Sequence, residues 1–513
     1  MALPPKVYNF LCACFAANGA ALFGYDLAVI SYVLIAKDFL QTVGMGTGIG
    51  SPGYNENFIG FIVSSLLLGA FVGSIPASLI ADKFSRRTAI VCSGLVFLLG
   101  GSLQAGAQSA GMMLAGRFFA GFAIGMLGVL TPLYQSEIAH PSNRGRLGAT
   151  FQLFIGIGAF VAGWIGYGCS VAQPGTALEW RLPLAFQMLP AVPLVFLTFL
   201  LPESPRWLMI QGREEESLQT LGRLHARGNI NDTFVQGEFD LMRRKVLEEA
   251  ALDQSWGLIF SDRTNLRKVI YGIILQFSVQ MTGVSAIQYY AGQIYQSVGF
   301  EKDALLINSI NNVIGLLGQV VCVMFLDRIG RRPPLIWGNI IASVCFAICT
   351  GLAKQFYDEV GTKGQGIAFV AFIYIYNFFF SSCIGPLSWV YPVEIMNTAI
   401  RAKATALTTM AAWLANFMIG QISPIAFANI GWKYYLVFTV CGATNALTFW
   451  LLFPETKGRT LEDMDSYFRN HPWIVPGANV EAVDGRTREK ELADNAVEKD
   501  AGEKPHENRL ESV

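Results

Sequence analysis

Asp82-Lys83-Phe84-Ser85-Arg86-Arg87 is a short charged run between two apolar segments, and it returns about 250 residues later as Asp327-Arg328-Ile329-Gly330-Arg331-Arg332. Other pieces repeat at about the same offset. Glu137 with Arg144-Gly145-Arg146 returns as Glu394 with Arg401-Ala402-Lys403. Pro202-Glu203-Ser204-Pro205-Arg206 returns as Pro454-Glu455-Thr456-Lys457-Gly458. The chain therefore reads as two similar halves, each carrying three charged marks.

The segments around these marks are too apolar for a soluble globule. Of 513 residues, 53% are hydrophobic and only 14% charged, with a mean hydropathy of +0.42. That leaves too little polar surface to cover a protein of this size in water, so the chain belongs in a bilayer. A formal net charge of zero gives no reason to expect a nucleic-acid partner. The nine cysteines form no clustered framework and the four histidines do not group, so no metal, disulfide or cofactor is expected. Serines and histidines are scattered and no phosphate-cradling loop occurs, which argues against an enzyme.

Twelve apolar stretches are long enough to cross a hydrocarbon core, each of which needs about 20 residues. Six lie in 10–202 and six in 269–453. Residues 203–268 are too polar to span and carry helical patterning, so they read as linker helices on the membrane surface. Most Lys and Arg of the connecting segments fall on the side of that linker, so it and both termini are expected to be cytoplasmic. The N-terminus covers 1–9 and the C-terminal tail 454–513, disordered from about 475, where the chain is charged and poor in aromatics. The first loop on the opposite side, 37–56, is rich in Gly and Thr and reads as irregular.

Further motifs sharpen the pattern: Gly24-Tyr25-Asp26, Gly116-Arg117-Phe118, Gln280-Met281-Thr282-Gly283, and Gly385-Pro386 followed by Trp389. With the repeated charged runs, they make the chain from 10 to 470 resemble the sugar porter family of the major facilitator superfamily, in a form that looks fungal. The resemblance implies an all-α membrane protein with twelve transmembrane helices in two six-helix halves, joined by cytoplasmic linker helices. It also implies a monomer at the plasma membrane, working by alternating access on a monosaccharide or related polyol, with a proton as coupling ion and the lipid bilayer as surroundings.

The resemblance assigns roles by position. Asp82, Arg86, Arg87, Glu137 and Arg144, with Asp327, Arg331, Glu394, Arg401 and Glu455, are expected to form gating ion pairs that join the halves in one state. Asp26 would be costly alone in the membrane, and the family pattern pairs it with Arg117 as the proton-coupling device. Substrate contacts are expected from Gln152, Gln276, Gln280, Ser285, Tyr289, Trp389 and Asn416. Amides suit hydroxyls and an aromatic face suits the C–H surface of a sugar. Gln276, Gln280, Gly283 and Ile287 follow at spacings of three and four, which places them on one helix face, with a break expected at Tyr289-Tyr290.

Departures from the family pattern leave the cargo open. Val279 stands where the family has a glutamine, Ser285 where it has an asparagine, and Ala412 where it has another. The alternatives are a facilitative uniporter, a carrier of a quinate-like ring acid, an exporter of a fungal secondary metabolite, and a non-transporting sensor, which the short tail disfavours. Ser85 replaces the glycine usual in the first charged run, so a strained but intact turn is expected there.

Overall fold

Water is absent from a hydrocarbon core, so each apolar stretch must close its backbone hydrogen bonds within itself, as a helix does. The computed structural model describes residues 4–46, 51–139, 144–251, 257–397, 400–457, 459, 461–470 and 472–475. Among the described residues, eleven runs are long and apolar enough to cross a membrane. The last of them, Lys403–Leu452, takes in most of helix Arg401–Ile430 and all of helix Tyr434–Leu452, parted by a short 3-10 turn, which brings the spans to twelve.

In the first half these are span one (helices Pro5–Ala16 and Asn18–Val33), two (Glu56–Lys83), three (Arg86–Ala105), four (Ala110–Ile138), five (Arg144–Ala172) and six (Leu178–Phe186 with Ala191–Leu197). In the second half they are seven (Arg263–Gln280 and Val284–Ser297), eight (Ala304–Ile329), nine (Arg332–Tyr357), ten (Lys363–Phe379 to Gly385–Ile395), eleven (Arg401–Ile430) and twelve (Tyr434–Leu452). Both described ends and the linker lie on one face, here the terminal face, and the other is the distal face. The halves meet where spans two and eleven, five and eight, and one and seven pack together.

The linker is shared unequally. Helices Pro205–Ile210 and Glu214–His225 pack on the first half, where Trp207 Nε1 donates to the Asp82 carbonyl at 3.0 Å, whereas Gly257–Ser261 packs on the base of span seven. The loop expected to be irregular contains a helix, Lys37–Thr42, pinned by Trp180 Nε1 donating to Asp38 Oδ2 at 2.8 Å. Its glycines come later in the loop, which is why composition alone hid it. Ser85 stands at φ +147°, while its counterpart Gly330 stands at φ +93°. The serine remains useful there because its Oγ accepts the Thr88 N–H and caps span three.

The start of the tail is bound to the second half. Helix Leu461–Asn470 and residues 472–475 are strapped to the base of span seven. Arg267 lies among the rings of Tyr271, Phe468 and Trp473, at 5.3, 5.1 and 5.0 Å from their centres, and donates to the carbonyls of Phe468 and Pro472. Lys268, fully buried, donates to Asp465 Oδ1 at 2.7 Å. The expected disorder beyond 475 falls outside the described residues.

Asp465→Ala would strand the fully buried Lys268 ammonium, and because Asp465 is itself partly exposed the cost is expected to fall below the about 3 to 5 kcal/mol of a wholly buried pair. Thermal unfolding of the purified protein is expected to show a lower midpoint, with most of the loss recovered in a Lys268→Met, Asp465→Leu double variant. Burial pushes the Asp465 carboxyl up, but the hydrogen bond and charge of Lys268 outweigh it, so the group sits below its usual range. Its stabilisation is present above the ordinary carboxylate value and is lost as pH falls through the lowered one.

Candidate functional site

The site is built on a break in span seven. Helix Arg263–Gln280 stops at Met281, and Gly283, at φ +89°, opens the second segment, Val284–Ser297. A Cβ at Gly283 would lie 2.9 Å from the rings of Phe346 and Phe438, so neither the angle nor the space admits another residue. The break expected at Tyr289-Tyr290 is present only as a kink at Tyr290 (φ −117°, ψ 16°). Because the earlier break resets the helical phase, Ile287 leaves the face of Gln276 and Gln280. Val284, Ser285 and Gln288 take its place in the wall of a cavity between the halves.

Most of the amides in that wall are held by the protein at one end. Gln276 Nε2 donates to the Ser388 carbonyl at 2.9 Å. Gln280 Oε1 accepts from Ser285 Oγ at 2.7 Å. Asn416 Oδ1 accepts from Tyr289 OH at 3.1 Å. Tyr289 is fully buried behind the wall and holds Asn416 in place rather than facing the cavity. Gln152 faces span ten, with Oε1 buried and unbonded.

Span ten supplies the aromatic wall. A π-helical turn, Phe380–Ile384, precedes Pro386, which has no N–H to give, and the widened turn brings Phe380, Gly385, Ser388 and Trp389 to the cavity. Trp389 packs edge-on to Phe151 with ring centres 5.5 Å apart. Phe23 and Trp413 complete the wall, edge-on at 5.1 Å. Neither carried a motif assignment. Trp413 was legible as the aromatic next to Ala412, whereas Phe23 only the packing reveals.

Asp26 and Arg117 meet away from the wall. Asp26 Oδ1 accepts from Arg117 Nη1 at 2.7 Å, and both side chains are fully buried. Arg117 also donates to the carbonyls of Ile62 (3.2 Å) and Val63 (3.4 Å) in span two. It reaches them because spans two and four approach backbone to backbone: a Cβ at Gly121 would collide with the Leu66 carbonyl, and one at Gly73 with that of Phe122. Asp26 Oδ2 makes no such hydrogen bond, with the Gln104 side chain as its polar neighbour.

The charged runs form two matching clusters on the terminal face. Arg86 grips Glu137 with two parallel bonds of 3.0 Å, and its third nitrogen donates to Asp82 Oδ1 and the Ala81 carbonyl, both at 3.0 Å. Arg87 donates to the Phe199 carbonyl at 3.0 Å. In the second half Arg331 grips Glu394 through Nε and Nη2 at 3.1 and 2.9 Å, and Thr456 Oγ1 donates to the same carboxylate at 2.5 Å. Glu455 accepts four backbone N–H groups, from Arg331, Arg332, Thr456 and Lys457, at the N-terminus of span nine.

All the ion pairs just described close within one half, so they do not join the halves here, as the family pattern suggested for one state. Arg401 turns back onto the Met396 carbonyl at 3.4 Å. The side chains of Arg144 and Asp327 lie outside the described residues. Glu203 occupies the place in the first half that Glu455 holds in the second. Its Oε1 accepts the Ser204 N–H at 3.0 Å, beside the Ser85 hydroxyl and the Arg87 backbone. The repeat of Pro202-Glu203 and Pro454-Glu455 was the signal that pointed to it.

The match to a family model described as sugar (and other) transporter runs over residues 11–468. The chain belongs to this sugar transporter family. It is 30% identical over 485 residues to a high-affinity glucose transporter of Kluyveromyces lactis, covering 90% of this chain and 85% of the relative. Over 509 residues it is 30% identical to a probable quinate permease of Neosartorya fischeri, covering 95% and 92%. Its fold is similar to that of the proton:xylose symporter XylE of E. coli, bound to 6-bromo-6-deoxy-D-glucose, with a TM-score of 0.75, 26% identity, and coverage of 90% of this chain and 99% of that one. This sugar porter is therefore a multi-pass membrane transporter of the major facilitator superfamily rather than an enzyme, and the cavity described above is its candidate binding site.

Proposed function

We propose that this sugar porter carries an uncharged monosaccharide or related polyol by alternating access, coupled to a proton, with both termini in the cytoplasm at the plasma membrane. One observation carries the choice of cargo: among the described residues, the cavity wall holds amides, hydroxyls and aromatic rings and no charged side chain. Hydroxyls find donors and acceptors there, and a ring finds Trp389 and Trp413. A carboxylate would find no cation, and leaving a charge unpaired in a buried site is costly. The wall thus favours a sugar over a quinate-like acid, although relatives named for both occur.

The distal face supports the alternating-access reading. There the halves are zipped by hydrogen bonds: Ser64 Oγ to Gln421 Oε1 at 2.7 Å, Gln421 Nε2 to the Asn57 carbonyl at 3.0 Å, Asn308 Nδ2 to Ser31 Oγ at 2.8 Å, and Tyr32 with Ser309 at 2.8 Å. Gly60 allows the approach, since a Cβ there would lie 2.6 Å from the Gln421 carbonyl oxygen. A distal face zipped between the halves, with a cavity enclosed between them, is what alternating access requires of one of its states. In the outward-open state the same Arg and Glu side chains would meet across the halves.

Uptake of labelled glucose, xylose and quinate in cells stripped of their own carriers tests the cargo. Glucose or xylose is expected to be taken up and to compete with the other, and quinate to fail. Uptake of quinate alone would overturn the reading.

A further inference from the structure

Of the amides in the cavity wall, three have an end engaged by the protein: Gln276 on Ser388, Gln280 on Ser285, Asn416 on Tyr289. Gln152 occupies a position already expected to meet the cargo. Gln288 remains. It lines the cavity, is only half-buried, and among the described residues neither end of its amide makes a hydrogen bond. Its neighbours Tyr289 and Tyr290 are both fully buried and bonded to span eleven, through Asn416 and the Gly420 carbonyl. The helix is thus held by its tyrosines, and packing makes no demand that would explain a glutamine on the cavity wall. A primary amide left without protein partners in such a place needs water or cargo to satisfy it.

Gln288 lies one turn beyond Val284 and three residues beyond Ser285, on the segment after the Gly283 break, so all three face the cavity together. Across the break, Val279 presents only methyl groups to the same cavity. We propose that Gln288 is a specificity-determining residue: its amide donates to one and accepts from the other of two neighbouring hydroxyls on the cargo ring, so the polar contact missing at Val279 is made from the distal side of the break. The ligand class is an uncharged ring with a vicinal diol, and the assignment rests on the hydroxylated cargo proposed above. It places hydroxyl recognition on the span-seven segment that Gly283 and Tyr290 hinge and that packs on span one.

The test uses the full-length protein in nanodiscs, following the fluorescence of Trp389 and Trp413 with D-glucose, D-xylose and the monodeoxy-glucoses as probes, alongside uptake in cells. Gln288→Leu is expected to weaken binding and raise KM about tenfold to a hundredfold, the range for losing hydrogen bonds to a buried hydroxyl pair. A deoxyglucose that lacks a contacted hydroxyl should bind wild type and the variant with nearly equal affinity, whereas the other deoxyglucoses keep the full difference. Adding Val279→Gln to the variant should restore part of the affinity, and Gln288→Asn serves as the milder change should Gln288→Leu fold poorly. Unchanged sugar affinity in both Gln288 variants overturns this assignment and leaves the sugar reading standing. A uniform loss across every deoxyglucose also overturns it, because the residue would then act through packing. Failure of the wild type to bind any of these sugars overturns both.

Discussion

Asp26→Asn is expected to abolish sugar-driven alkalinisation of lightly buffered cells while counterflow of labelled sugar across the same membranes persists. The carboxylate is fully buried, 2.7 Å from Arg117, with its second oxygen unbonded. Asparagine keeps the shape but cannot take up or release a proton, so any step that depends on that exchange stops. Arg117 retains its bonds to the Ile62 and Val63 carbonyls, which should preserve the packing of spans two and four and hence the exchange of sugar. Continued alkalinisation by the variant would sink the coupling role. Loss of both activities with normal protein in the membrane would assign the pair to helix packing, because removing one partner of a buried ion pair costs about 3 to 5 kcal/mol.

Arg86→Ala should reduce transport at least about tenfold, a barrier change of roughly 1.4 kcal/mol or more, with the protein still delivered to the membrane. Arg86 is almost wholly buried and supplies both bonds to Glu137, itself almost buried, as well as the link to Asp82. Its loss leaves the Glu137 carboxylate without this guanidinium at the meeting point of spans two, three and four. Arg86→Lys is expected to recover little, since an ammonium cannot reproduce two parallel bonds to a carboxylate. Arg331→Ala, in the matching cluster, should behave alike through Glu394. The checks are initial uptake rate and surface abundance measured on the same cells. Normal uptake in both alanine variants would remove the clusters from the transport cycle and leave them as topology signals.

These effects were approachable from the sequence to different depths. That Asp26 needs a partner was legible because a carboxylate inside an apolar span is costly alone, and the family resemblance supplied Arg117 as that partner. The pairing of Arg86 with Glu137 was not derivable from spacing, because the two lie on different helices; the repeat marked them as related and the packing showed which met which. The mirrored roles of Glu203 and Glu455 were hidden for the same reason, although their motif was in view. Helix periodicity failed at span seven, where counting through Gly283 placed Ile287 on the binding face and passed over Gln288. Periodicity describes a continuous helix, and a residue at φ +89° ends one.

Composition was silent on the strap before 475, since Arg267 and Lys268 lie far from Asp465, Phe468 and Trp473 in the chain and the strap forms only when they are brought together. What the sequence alone determined is the architecture. Two repeated halves, twelve apolar stretches and their charged punctuation follow from local composition, because a bilayer admits only segments that satisfy their own backbone. What the tertiary structure decided is which face of each helix is used: where span seven breaks, which amides are left free for cargo, and that Arg86 pairs with Glu137 and Arg331 with Glu394 while hydrogen bonds cross between the halves on the distal face. Those depend on contacts between residues distant in the chain, on which helix propensity and hydropathy are silent.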